Sequence, residues 1–198
     1  MFGLFRRPSV PLRAAFRDFM ARQGAFVAQK TVFDYCRVKA GRQEARLFAD
    51  PSFRAALEHC RWQVYFAALS DVAALAESWL RPHATGREQV LAAALSALAA
   101  EILAESGSPA EEAESAAAAA RALPGHLAAL QLGPPLPANR LPLLAEAPLF
   151  ATLPIHPDQR RDEGPAIRGA LRFHIVSTQQ EMERRFRPAA VAAELVGT

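Results

Sequence analysis

The chain has 198 residues, enough for one good hydrophobic core and, by default, one domain. Its 43 alanines, against 19 Val, Ile and Thr combined, rule against a sheet-based protein and favour a helical one, Ala being the best helix former. The net charge of +3 is unevenly spread: residues 1–50 hold ten Lys or Arg against four Asp or Glu, and residues 101–150 hold two against six.

A basic first quarter suits an anionic neighbour, whether lipid headgroups, an acidic protein or nucleic acid; a solvated helix face is the plainer reading. Of the 23 basic residues 21 are Arg, which with the alanine content reads as the mark of a GC-rich, bacterial genome and weakens any argument from arginine number. Cys36 and Cys60 both lie on apolar helical faces and read as small core residues in a reducing compartment rather than as a disulfide. Gln89–Ala100 is uncharged but too short to span a bilayer between Glu88 and Glu101, and residues 122–139 hold four prolines. Arg13, Arg17 and Asp18 interrupt the apolar run that a signal peptide needs after Arg6 and Arg7. The expectation is a cytoplasmic chain, soluble or peripheral to the inner membrane.

The first predicted helix takes Ser9 as N-cap, has Pro11 in its first turn and runs to Lys39 before Gly41. Leu12, Phe16, Phe19, Phe26, Phe33 and Cys36 mark its buried face, and Gly24 marks a bend or a close packing point. The second starts with Asp50 as cap and Pro51 at the first position, and runs to Leu80 before Pro82. Its two apolar stripes, one through Phe53, Leu57, Cys60, Val64 and Trp79 and one through Trp62, Phe66 and Leu69, predict the central helix of the fold. Trp62 and Trp79 should lie about 100° apart around its axis.

Capping boxes at Thr85/Glu88 and Ser108/Glu111 start two further helices, with Gly107 as the stop between them. The second of these passes through Ala116–Ala120 and should break at Pro124-Gly125. From residue 133 to 164 seven prolines forbid a long element, yet Leu141, Leu143, Leu144, Leu149, Phe150, Leu153 and Ile155 are too apolar for a free linker. The stretch reads as an extended strap packed across the helices, with a short turn near Leu143–Glu146. The last helix runs from Pro165 to about Arg187 and buries Ile167, Leu171, Ile175, Thr178, Met182 and Phe186; an Ala-rich tail follows Pro188. The predicted fold is all-α: a single-domain irregular bundle of about five main helices over residues 1–198, with an apolar and basic tip at residues 1–8 and the Pro-rich strap at 133–164.

Motifs with a chemical mechanism are absent: no G-x-S-x-G, no G-x-G-x-x-G, no P-loop and no C-x-x-C. The histidines, His59, His83, His126, His156 and His174, form no ligand sets with carboxylates, so neither a metal nor a cofactor is implied. Two features stand above this background. His156, Asp158, Arg160, Arg161, Asp162 and Glu163 crowd one loop, which could do acid–base work or simply be a charged loop capping the last helix. Asp71 lies on the most apolar helix and must find a partner, most simply an arginine from the first or last helix.

The leading expectation is a non-enzymatic accessory or assembly factor that binds another protein, at the cytoplasmic face of a membrane. Phe2, Leu4, Phe5, Arg6 and Arg7, continued by Arg13 and Arg17, are the candidate contact residues: apolar groups to dip into an interface and cations for anionic headgroups. One alternative is a small helical enzyme using His156, Asp158 and Asp71 where strap, central helix and last helix meet. Another is a nucleic-acid-binding regulator, which the basic first quarter alone supports. Nothing in the sequence specifies a small-molecule ligand.

Overall fold

A computed structural model describes residues 11–197, and every regular element among them is helical. The first helix, α1 (Leu12–Gln29), passes without interruption through a π-helical turn, Lys30–Asp34, into α2 (Tyr35–Ala40). It stops at Gly41, whose φ of +50° a side chain would strain. Pro11 occupies the cap position, and Ser9 lies outside the described residues. Phe16, Phe19 and Cys36 are buried as their spacing predicts. Phe26 is not; it is 39% exposed. The buried face rotates along the helix: Phe16 and Phe19 meet the Phe186 ring at 5.2 and 5.3 Å, whereas further on Gly24, Val27, Ala28 and Thr31 turn inward and leave Phe26 at the edge. Gly24 is a close packing point rather than a bend, since a Cβ there would meet the Leu69 Cα and Cβ at 3.3 Å.

A short helix, α3 (Glu44–Ala49), leads to α4 (Pro51–Leu80). The latter has the predicted bounds: the Asp50 side chain accepts the Phe53 N–H at 2.9 Å, Pro51 opens the first turn, and Pro82 follows the end. Every residue from Ser70 to Ser78 is buried, so this stretch is enclosed on all sides. Trp62 and Trp79 are only half-buried.

Helix α5 (Glu88–Ala104) starts later than a Thr85 cap implies, because Gly86 has φ +78° and the Glu88 carboxylate turns back to accept the Gly86 N–H at 2.9 Å. Helix α6 (Ala113–Leu130) follows a 3-10 turn, Ala110–Glu112, with no side-chain cap from Ser108. It continues through Pro124 instead of breaking there. Pro124 is exposed, so water can take the carbonyl that its missing N–H leaves unpaired.

The strap is packed, as its leucines predict: Ala138, Leu141, Ala145, Leu149, Leu153 and Ile155 are buried. It is less extended than expected and contains α7 (Glu146–Thr152), with Pro148 in the first turn, where its missing N–H has no intrahelical partner to lose. Helix α8 (Gly164–Arg185) buries Ile167, Leu171, Ile175, Thr178 and Met182. The Ala-rich tail forms one more helix, α9 (Pro188–Val196), with Val191, Ala192 and Leu195 against the core. Helix α4 packs against α1, α3, α5, α6, α7, α8 and α9, which makes it the axis of the fold. Among the described residues no helix is long and apolar enough to cross a membrane.

Candidate functional site

Asp71 sits in the fully buried stretch of α4 with no exposed surface. Its partners are main-chain groups of the strap: Oδ1 accepts the Leu144 N–H at 2.7 Å and Oδ2 the Ala145 N–H at 3.1 Å. Burial pushes its carboxyl up to about 7, against the opposing pull of these two N–H groups and of the Arg172 guanidinium. Arg172 in turn donates to the carbonyls of Ala138 and Leu141 at 2.8 and 2.6 Å. Both carboxylate oxygens are therefore occupied in holding the strap.

A second buried network lies at the end of α4. Arg81 Nε is 2.9 Å from Glu77 Oε1, and its other nitrogens donate to the Gly133 and Leu130 carbonyls at 2.6 and 3.4 Å. Gln131 adds its amide, donating to Glu77 at 3.0 Å and to the Glu88 carbonyl at 2.8 Å. The end of α6 is thereby fastened to α4. Above it a cleft of about 700 Å³ runs between α5 and α6, lined by Arg81, Gln131 and small residues such as Ala92, Ala93 and Ala128.

His156 and Asp158 stand on an exposed 3-10 turn, Pro157–Arg160, with imidazole and carboxylate 3.5 Å apart and Arg161 paired to the same carboxylate at 2.8 Å. Asp71 is not with them, and none of the clefts described here is lined by the three together. Arg13 donates to Glu101 at 2.6 Å and Arg17 pairs with Glu101 and Glu105. The basic first quarter and the acidic third quarter thus meet across α1 and α5, and part of the local charge is matched within the chain. Phe2, Leu4, Phe5, Arg6 and Arg7 lie outside the described residues.

The most distinctive surface is a groove of about 330 Å³ between the π-helical turn with α2 on one side and α8 on the other. Its walls are apolar, formed by Tyr35, Val38, Ile167, Ala170 and Phe173. Val38 is 78% and Phe173 66% exposed, and the partly exposed Phe26 packs on the His174 ring of the lining. The His174 ring lies edge-on between Phe26 and Phe173, at centroid distances of 5.5 and 5.6 Å. Burial holds His174 below the usual imidazole range, so it is a neutral ring near pH 7. Two buried polar atoms of the lining have no hydrogen-bond partner: His174 Nδ1 and Thr31 Oγ1. At the rim Lys30 and Asp34 pair at 2.5 Å, while Glu163 accepts from Tyr35 Oη and Lys39 Nζ, both at 2.6 Å. The Lys39 and Tyr35 hydrogen bonds hold the Glu163 carboxyl below its ordinary range. Apolar grooves with a few convergent polar atoms are the common form of a binding site, and π-helical turns often accompany function.

Sequence reasoning passed over this groove. Its legible signal is the spacing Ala166, Gly169, Ala170 and Phe173, an uncharged second stripe on α8 opposite the Ile167–Leu171–Ile175 stripe. The cysteines carry no comparable chemistry: both are free and buried, and burial raises Cys36 to about 12 and Cys60 to about 11, which keeps them as thiols. The chain matches no known protein family, and neither curated proteins nor solved structures give a significant match.

Proposed function

We propose that the protein is a non-catalytic accessory or assembly factor that acts by binding a protein through the groove between α2 and α8. The observation that carries this reading is the exposure of Phe173 and Val38 in the walls of one apolar groove, with Phe26 against its His174 ring. Large apolar side chains clustered in this way are costly to leave in water and are characteristic of interaction sites, whereas scattered ones are ordinary. The acid–base alternative lacks such support, because Asp71 has both oxygens engaged by the strap and the His156–Asp158 pair faces solvent.

A photo-cross-linking amino acid at position 173, with the exposed Glu183 position of α8 as control, tests the reading in cells of the source organism. One defined protein adduct at 173 and none at 183 is the expected result. Equal labelling at both positions, or no adduct at 173, refutes it.

A further inference from the structure

We draw no further inference here: the strongest candidate, the His59–Glu112–Gln63 cluster where the 3-10 turn before α6 meets α4, has both Glu112 carboxylate oxygens engaged within the chain, and nothing in the structure shows what its exposed imidazole would act on.

Discussion

Asp71 and Arg172 hold one strap by the two complementary halves of its backbone. The carboxylate takes the N–H groups of Leu144 and Ala145, and the guanidinium supplies the carbonyls of Ala138 and Leu141. Gln179 extends the grip by accepting the Ala138 N–H at 3.0 Å. A Pro-rich stretch with few internal hydrogen bonds is thereby given partners by the helices beneath it.

Asp71→Ala should cost roughly 2–4 kcal/mol, because it leaves two main-chain donors without an acceptor in or near the core. Urea denaturation measures the loss, and hydrogen exchange locates it: protection at Leu144 and Ala145 should fall before that of α4. A loss below about 1 kcal/mol would mean that water replaces the carboxylate at no penalty.

The same carboxyl gives stability a defined pH dependence. Its folded value of about 7 lies above the ordinary 3.8, so between these two values the folded chain holds a proton that the unfolded chain has released. The contribution is therefore complete below the lower value and is lost as pH rises through the upper one. His126 and His174, depressed by burial, act with the opposite sign, and Asp71→Asn serves as the reference that removes their contribution. The stability of wild type relative to Asp71→Asn should fall from pH 5 to pH 8; a rise over that interval would contradict the assignment.

For the network at the end of α4, Arg81→Met should be more damaging than the paired change Glu77→Met with Arg81→Met. The single substitution leaves a fully buried carboxylate without its cation, at a cost of about 3–5 kcal/mol, whereas the double removes the charge as well. Denaturant melts of the two singles and the double complete the cycle. Equal losses for single and double would show that Arg81 acts only through the Leu130 and Gly133 carbonyls.

Arg13 and Arg17 separate from the N-terminal tip in their expected effects. Their pairs with Glu101 and Glu105 are partly exposed, so Arg13→Gln with Arg17→Gln should cost about 1 kcal/mol or less. If residues 1–8 carry a membrane contact, flotation with anionic vesicles should survive this double substitution and disappear on deletion of residues 2–7. Flotation indifferent to the deletion removes the membrane contact that the sequence of the tip suggests.

The elements most legible in the sequence were those whose signals are local. Asp50-Pro51 and Pro82 bound α4, and the spacing Ile167, Leu171, Ile175, Thr178 and Met182 states the inner face of α8. Signals that depend on solvent contact were misleading. Pro124 reads as a break but lies on the wet side of α6, and Pro148 sits in a first turn that tolerates it. Phe26 follows the spacing of Phe16 and Phe19, yet the change of neighbours along α1, which no periodicity expresses, puts it outside. Asp71 could be recognised as needing a partner, but the N–H groups that donate to it belong to a strap 73 and 74 residues away along the chain, and the arginine expected beside it acts mainly on that same strap. The groove escaped because its stripe of alanine, glycine and a single phenylalanine is weak beside the leucine-rich core.

The strap's path is written elsewhere than in the strap. Asp71, Arg81, Arg172 and Gln179 all engage its peptide groups, at Gly133, Ala138, Leu141, Leu144 and Ala145, and peptide groups are common to every residue type except for the N–H that proline lacks. Exposed strap positions can therefore drift through evolution with little penalty, while the four gripping side chains, Asp71 on α4, Arg81 just past its end, and Arg172 and Gln179 on α8, cannot. In distant descendants of this chain, those four side chains will persist after the exposed strap residues have changed.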